Sequence, residues 1–422
     1  MSAASGTVAV ARRLPVPAAT GRIAVELLPP FVVALLILPF VIAHGRLSPW
    51  QPSTIDLQVY VYAVKDMLAG RDIYQTTTPF WNLYFIYPPI AAVLMWFLAF
   101  GPYVLWQVLW TLGLVWAQQS VLRRCGVPRG WLLGLLGIAV VLAVEPIRTT
   151  LGYGQVNTLL MALVVADLLP DPPGERRRRI PQGTLIGLAA AIKLTPALFV
   201  VFLFLLGRHR AALTGIASFA AFTLVGTLFQ FRQTLEFWGG LSGGNTRTAS
   251  PLYTGNQSLL GAFFRVVGPS TTTALAGLAV AGLVALLATA VAAWWWQRGQ
   301  PVFAVGLVGL GTCLASPLSW THHYVWILPL AVAVIVRQPG GSRRTPLPRW
   351  ASAVSGAWVL WVCACPPLAV LPYGGGRERN YTLLQSVVVD LGPLLGVALV
   401  VGLGWQLVSQ SRSKALAPAA AS

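Results

Sequence analysis

The chain has 422 residues, of which 56% are hydrophobic and only 9% are charged, whereas soluble domains average about 25% charged residues. This composition excludes an ordinary soluble domain. Apolar runs of about 20 residues recur along the sequence, which predicts an all-α polytopic membrane protein in a lipid bilayer. The net charge of +18 could suit a nucleic-acid-binding protein, but the arginine clusters fall between apolar runs. They are typical of cytoplasmic loops, so no nucleic acid partner is expected.

The amino-terminal region combines a basic tail with a long apolar run. Residues 1–22 are small, polar and basic, which predicts a cytoplasmic tail. A retained anchor helix is expected at about residues 24–43, followed by an outer loop at about residues 45–87. Within that loop, residues 57–68 have the composition of a helix lying at the membrane interface.

Further apolar segments follow to the carboxyl end of the chain. They predict 11 to 13 transmembrane helices in one domain, residues 23–410, with a cytoplasmic tail at residues 411–422. The other outer loops are expected at about residues 148–155, 232–271 and 371–385. The apolar segments are residues 88–100, 102–122, 131–147, 156–169, 181–206, 211–231, 272–296, 301–316, 323–336, 350–371 and 386–409.

Two segments complicate the crossing pattern. If Arg123 and Arg124 are cytoplasmic, residues 88–122 must cross an odd number of times, yet Gly101-Pro102 divides them into two apolar runs. The sequence does not choose between these patterns. Residues 181–206 must cross an even number of times, and Pro196 predicts a break into two half-spans that meet near Lys193.

Charged residues at membrane depth are costly and mark candidate functional sites. Lys193 lies in the middle of an apolar run, so it is either a snorkelling residue or a binding group for an anion. Asp56 heads the polar stretch that contains Tyr60 in the first outer loop, and the chain has only 11 acidic residues. A loop carboxylate is otherwise only a solvated charge.

Two other segments carry polar groups suited to anions and hydroxyls. Arg148 either forms a pair with Glu145 three residues earlier or binds an anion. Gln155 and Asn157 follow a glycine turn and could bind the hydroxyl groups of a sugar. Asn256 and Gln257 add two more amides from the loop at residues 232–271, in a sequence expected on the same face of the membrane.

His322 and His323 lie together at the mouth of another apolar run. Adjacent histidines on a helix point in different directions, so they are a poor metal chelate and better suited to hydrogen bonding or an anion. The alternative is a pair of packed interfacial histidines. The four cysteines lack zinc-site spacing, and no Asp-x-Asp pair is present. The sequence therefore predicts no metal and no other cofactor.

The chemistry that fits these groups is glycosyl transfer from a lipid-linked phosphosugar. A carboxylate such as Asp56 would accept the proton of an acceptor hydroxyl, and cations would stabilise the departing lipid phosphate. A single base suits one displacement with inversion. A glycolipid transporter is the alternative from another class, although transporters tend to have repeated halves that are not visible here.

Short motifs in order along the chain add a resemblance. They are Asp56, Tyr87-Pro88-Pro89, Gly154-Gln155-Val156-Asn157, Lys193-Leu194-Thr195-Pro196, Gly255-Asn256-Gln257-Ser258, and Ser316-Pro317 followed by His322-His323. Together they resemble the actinobacterial polyprenol-phosphate-mannose-dependent mannosyltransferases of glycosyltransferase family 87, which have the GT-C fold. Within that family, the chain is most similar to members of phosphatidylinositol mannoside synthesis.

The resemblance implies a polyprenyl-phosphate β-mannose donor, a glycolipid acceptor, an α-1,2-linked product and an active site on the outer face of the plasma membrane. It implies that Asp56 is the catalytic base. Family members often have paired acids in this loop, but the next acids here, Asp66 and Asp72, lie ten and sixteen residues further on. We expect Lys193, His322, His323 and Arg148 to bind the donor phosphate, and Gln155, Asn157, Asn256, Gln257 and Tyr60 to bind the sugar or acceptor. The remaining alternatives are an arabinofuranosyltransferase and a lipoglycan mannosyltransferase.

Overall fold

The computed structural model describes residues 19–42, 54–79, 81–171, 179–243, 250–336 and 345–416. Most of both predicted tails and the start of the first outer loop lie outside these residues. The described part contains no β-strand. Its α-helices are α1 Ala19–Ile42, α2 Ile55–Leu68, α3 Pro89–Leu94, α4 Tyr103–Arg124, α5 Trp131–Ala143, α6 Glu145–Tyr153, α7 Asn157–Leu168, α8 Thr184–Ile192, α9 Leu198–Leu205, α10 His209–Phe229, α11 Phe231–Gly243, α12 Leu259–Val267, α13 Thr271–Gln297, α14 Pro301–Ala315, α15 Ile327–Ile335, α16 Arg349–Ala364, α17 Pro366–Val370 and α18 Leu383–Leu416.

The helices confirm a multi-pass membrane protein. In the described residues, α1, α10, α13 and α18 are long and apolar enough to cross a bilayer. α5 and α6 pass the same test together but are bent by 84° where they meet. α7, α14 and the segments Thr195–Leu205 and Thr321–Ile335 are shorter apolar helices. Since length and composition alone identify four or five spans, the count of 11 to 13 stays a prediction.

The segment at residues 88–122 contains one helix of span length. α3 has six residues and is followed by a 3-10 helix at Trp96–Ala99. Both contact α2, and α3 also contacts α10. α4 has 22 residues, about 33 Å, and ends at Arg124. Because α3 is only about 9 Å long, it is too short to cross a bilayer, and the structure favours a single crossing by α4. One crossing is an odd number, as a cytoplasmic position of Arg123 and Arg124 requires.

Residues 181–206 form the expected broken hairpin. α8 ends at Lys193, which has an extended backbone, and a 3-10 helix at Thr195–Ala197 leads into α9. Arg208, after α9, donates a hydrogen bond to Gln182, before α8, at 3.4 Å. The two ends of the hairpin therefore lie side by side, and Lys193 is at its tip.

Glycines allow α8 to contact α10 through its backbone. A Cβ at Gly183 would lie 2.0 Å from the Ala211 carbonyl oxygen, and one at Gly187 would lie 2.3 Å from that of Gly215. Gly183 also has φ of +100°, and its N–H donates to the Asp167 carboxylate at 2.9 Å. This carboxylate satisfies free N–H groups at the start of α8 and fixes the hairpin against α7.

Two of the expected outer loops are largely helical. Residues 148–155 belong mainly to α6, and residues 232–271 contain α11 and α12. α6 ends at Gly154, whose φ is +68° and whose added Cβ would lie 2.7 Å from Leu57 Cβ. This close approach places the residue after α6 directly beside α2.

Candidate active site

The start of α2 is held in place by hydrogen bonds to two neighbouring helices. Thr54 precedes the helix in a left-handed conformation with φ of 62°. Its N–H donates to the Gly152 carbonyl at 2.5 Å, and its hydroxyl contacts Tyr103 and Gln107, each at 2.8 Å. These contacts hold Thr54 in an unfavourable backbone conformation and thereby fix Asp56 in the first turn of α2.

The side chain of Gln155 has only one orientation compatible with its neighbours. Its Oε1 accepts hydrogen bonds from the Tyr60 hydroxyl at 2.7 Å, the Tyr87 hydroxyl at 2.8 Å and the Val156 N–H at 3.0 Å. The amide nitrogen must therefore face the other way, where it donates to Asp56 Oδ2 at 3.2 Å. Tyr60 thus holds Gln155, and Gln155 contacts the Asp56 carboxylate, while the expected role of both residues in sugar binding stays a prediction.

Asp56 is half-buried at the amino end of a helix that lies outside the candidate membrane spans. Burial raises the pKa of its carboxyl to about 7, while the Lys193 charge and the hydrogen bond from Gln155 both lower it. The net result suits a general base near neutral pH. Asp56 and Lys193 belong to one site, because Gln155 contacts Asp56, Tyr87 donates to Gln155, and the Tyr87 ring centroid lies 5.6 Å from Lys193 Nζ.

Lys193 presents its ammonium group to neutral partners. Nζ donates to Asn157 Oδ1 at 2.9 Å and lies 3.1 Å from His323 Nε2. It also lies 5.6 Å from the ring centroid of Tyr87. A small cleft beside it is lined by both polar and apolar side chains, among them Thr195 and Trp326. Hydrogen-bonding capacity and positive charge thus remain available for an anion.

The two histidines have different environments. His322 is buried, and its backbone carbonyl accepts hydrogen bonds from Thr150 at 2.9 Å and Asn157 at 2.8 Å. Its Nε2 has no hydrogen-bond partner among the residues that the structure describes. Its ring contacts that of Tyr153 with centroids 5.3 Å apart. The rings of His322 and His323 are perpendicular. His323 therefore faces Lys193, whereas His322 carries a free nitrogen.

Arg148 lies away from the contacts of Lys193. Its guanidinium donates to the Leu142 carbonyl at 2.8 Å and interacts electrostatically with Glu145. Glu145 in turn accepts hydrogen bonds from Thr149 at 2.7 Å and from Thr321 at 3.1 Å. Nothing in this geometry joins Arg148 to the Lys193 ammonium, so its role in phosphate binding stays a prediction.

Asn256 and Gln257 are used to hold loops together. Asn256 is fully buried, and its Oδ1 accepts from the Ser319 N–H at 2.9 Å while its amide donates to Pro251 at 2.8 Å. The Gln257 amide donates to the Thr254 and Val389 carbonyls at 2.9 and 3.1 Å. These contacts occupy both groups of the Asn256 amide and the amide nitrogen of Gln257, and the expected role of the two residues in sugar binding stays a prediction.

Two tyrosines to which the sequence assigned no role join the site. Tyr87 connects Gln155 to Lys193 through its hydroxyl and its ring. The Tyr153 ring contacts that of His322, with centroids 5.3 Å apart. The position of Tyr87 before Pro88-Pro89 marks the end of the outer loop, but neither residue type nor spacing reveals which way its side chain points.

Acids beyond Asp56 have other contacts. Asp66 forms an ion pair with Arg71, and Asp72 accepts a hydrogen bond from the Tyr74 N–H at 2.9 Å. Within the residues that the structure describes, no three His, Cys, Asp or Glu side chains are grouped so that they could hold a metal ion.

Comparisons with known proteins show the family to which the chain belongs. Residues 85–317, which include every motif above except Asp56 and His322-His323, match glycosyltransferase family 87. A polyprenol-phosphate-mannose-dependent alpha-(1-2)-phosphatidylinositol mannoside mannosyltransferase of Mycobacterium tuberculosis is 34% identical over 69% of this chain and 72% of its own length. The Mycolicibacterium smegmatis protein of the same name is 32% identical over 90% of both chains. A pentamannoside mannosyltransferase of Mycobacterium tuberculosis is 33% identical over 81% of this chain and 78% of its own. No solved structure matches. The chain belongs to glycosyltransferase family 87, and it is a membrane glycosyltransferase.

Proposed function

We propose that this enzyme transfers mannose from polyprenyl-phosphate β-mannose to a hydroxyl group of a phosphatidylinositol mannoside, with inversion, to form an α-1,2 linkage. The names of the similar mycobacterial proteins support this donor and this acceptor. The observation that carries the proposal is the pairing of Asp56 with Lys193 in one site without a direct ion pair between them. One group is thereby suited to accept a proton and the other to bind an anion.

The reaction is a single displacement. Asp56 accepts the proton of the acceptor hydroxyl as its oxygen attacks the anomeric carbon of mannose. The bond from that carbon to the phosphate oxygen breaks, and the electron pair leaves with the polyprenyl phosphate. Lys193 stabilises the growing negative charge on this phosphate, and the ring of His323 contacts Lys193. The neighbouring His322 has a buried Nε2 that makes no hydrogen bond to the described residues.

The remaining parts of the proposal concern location and cofactors. Residues 23–410 form the catalytic domain in the plasma membrane, the site opens to the outside, and both termini are cytoplasmic. The basic clusters between apolar segments support this orientation. The enzyme works without a metal, since a lysine performs the charge stabilisation that a divalent cation performs in other transferases.

A transfer assay with purified wild-type enzyme tests this function. Radiolabelled polyprenyl-phosphate mannose and phosphatidylinositol mannosides should give a labelled α-1,2-linked product, and EDTA should not change the rate. Transfer only from an arabinofuranosyl donor would move the enzyme to another substrate class. Label that crosses a vesicle membrane without forming a new glycosidic bond would indicate a transporter. Loss of activity in EDTA that manganese restores would refute the metal-free mechanism.

A further inference from the structure

Three aromatic side chains from three separate segments meet beside the active site, and the proposed reaction uses none of them. The Tyr253 ring contacts that of Trp320 with centroids 5.7 Å apart and that of Tyr373 with centroids 5.9 Å apart. Both contacts are edge-on, at 70° and 88°. Tyr253 and Trp320 are half-buried and Tyr373 is exposed. We call these three residues the aromatic cluster.

Buried polar contacts hold two segments of the aromatic cluster. Arg265, after the Tyr253 loop, donates to the Tyr253 carbonyl at 3.4 Å and forms an ion pair with Asp390 at 2.5 Å. The side chains of that pair are only 1% and 6% exposed. Asn256 forms a β-bridge with Trp320 through its backbone. A buried ion pair contributes more to a fixed geometry than to stability. The fixed position of these rings therefore indicates a role other than stabilising the fold.

The third segment is tied to the first by a tyrosine. The Tyr381 hydroxyl donates to the Pro372 carbonyl at 2.7 Å and lies 2.5 Å from the Thr254 hydroxyl. Both contacts flank residues of the aromatic cluster, since Pro372 precedes Tyr373 and Thr254 follows Tyr253. The three rings therefore have a common, pre-formed arrangement.

The two adjacent histidines connect the aromatic cluster to the active site. The His323 N–H donates to the Trp320 carbonyl at 2.8 Å, and the His322 ring contacts that of Tyr153 with centroids 5.3 Å apart. Lys193 contacts Asn157, His323 and the ring of Tyr87, and no residue of the aromatic cluster is among these partners in the described part of the chain. If Lys193 binds the donor phosphate, the aromatic cluster is therefore left for the acceptor.

Aromatic rings with polar tips are suited to sugars. A pyranose has an apolar face of C–H groups that covers a ring, and hydroxyl groups that reach the Tyr O–H or Trp N–H. Tyr and Trp also offer a large rigid contact area at a small entropy cost. We infer that Tyr253, Trp320 and Tyr373 bind a mannose ring of the acceptor glycolipid. This inference rests on the proposed function and extends it to the binding site of the acceptor.

Steady-state kinetics and direct binding test the inference with Tyr253→Ala and Tyr373→Ala. Each change should raise the KM for the phosphatidylinositol mannoside about tenfold, the usual effect of removing an aromatic contact, and leave the KM for the lipid-linked mannose unchanged. Tyr373→Phe keeps the ring and should retain most of the affinity. Trp405→Ala is the control, because Trp405 is also a large aromatic residue, 74% exposed, in the last third of α18.

An aromatic cluster that only anchors the protein at the membrane interface gives a different result. The alanine variants would then lower the unfolding temperature or the membrane yield and leave the acceptor KM within twofold of wild type, which would overturn the inference. Equilibrium binding of the acceptor to purified protein without donor keeps the two proposals separate. Wild type that binds the glycolipid but transfers no mannose would contradict the proposed function alone. Variants that bind it as tightly as wild type would contradict the inference alone.

Discussion

Two buried charge arrangements in this enzyme differ in how they are neutralised. Arg265 and Asp390 join α12 to α18 in a direct ion pair. In the active site, by contrast, Lys193 donates to the neutral side chain of Asn157, and the Asp56 carboxylate accepts from the neutral side chain of Gln155.

This difference separates charges that hold the fold from charges that are available to substrates. A direct pair offsets the desolvation of both partners, so neither has affinity left for a ligand. The charges of Asp56 and Lys193 interact, but the two side chains form no direct ion pair. Each side chain can therefore still form a hydrogen bond to a substrate. A buried charge with neutral partners is thus the more informative sign of function in this chain.

The largest expected effect comes from Asp56→Asn. The amide cannot accept the acceptor proton, so the transfer rate should fall by at least about 10²-fold, the usual scale for a general base. The substitution keeps the shape of the side chain, so the protein should insert and unfold at the same temperature. The assay uses lipid-linked mannose at saturation.

Asp66→Asn is the matched control for this change. Asp66 lies on the same helix but forms its ion pair with Arg71 at the surface. An exposed ion pair contributes at most about 1 kcal/mol, so the loss of this pair should alter the transfer rate less than threefold. Near-normal turnover of Asp56→Asn, or an equal loss in both variants, would contradict the role of Asp56.

The second effect concerns the fold. Arg265→Leu leaves the Asp390 carboxylate buried without its partner and should lower the free energy of unfolding by roughly 3 kcal/mol. Lys193→Met removes a charge that has no direct carboxylate partner, and it should leave stability unchanged or slightly higher. Thermal unfolding in detergent measures both. Equal destabilisation by the two substitutions would erase the distinction between the two charge arrangements.

The smallest effect is a shift in pH dependence. Asp56 must be ionised to act, so kcat/KM should fall below about pH 7 as its carboxyl becomes protonated. Gln155→Leu removes a hydrogen bond that lowers this pKa, so the midpoint should move to higher pH by up to about one unit. The rate should recover above the new midpoint. A uniform loss of rate with an unchanged midpoint would instead indicate that Gln155 contacts the sugar.

Sequence alone predicts the membrane class, the family and the region of the site because these depend on composition and on local patterns. The break at Lys193 is predicted because Pro196 and two basic flanks constrain it. The path of residues 88–122 is not predicted from the sequence. The segment that forms α3 is apolar enough to resemble half of a membrane span, but in the structure α3 packs against α2 and α10.

The roles of individual amides are also beyond local patterns. Gln155, Asn157 and Asn256 look alike as polar residues near glycines, but distant partners decide their use. Tyr60 and Tyr87 orient Gln155, while Ser319 and Pro251 occupy Asn256. Such contacts join residues more than 60 positions apart, except that to Pro251, and no periodicity in the sequence reports them.

The most direct test of the division of labour between the two charges is equilibrium binding of polyprenyl-phosphate mannose to purified variants without acceptor. Lys193→Met should weaken binding about tenfold or more, the scale of a lost charge-assisted contact, whereas Asp56→Asn should bind the donor as tightly as wild type while it transfers no mannose. Unchanged affinity in Lys193→Met, or equal loss in both variants, would contradict separate roles for these two residues.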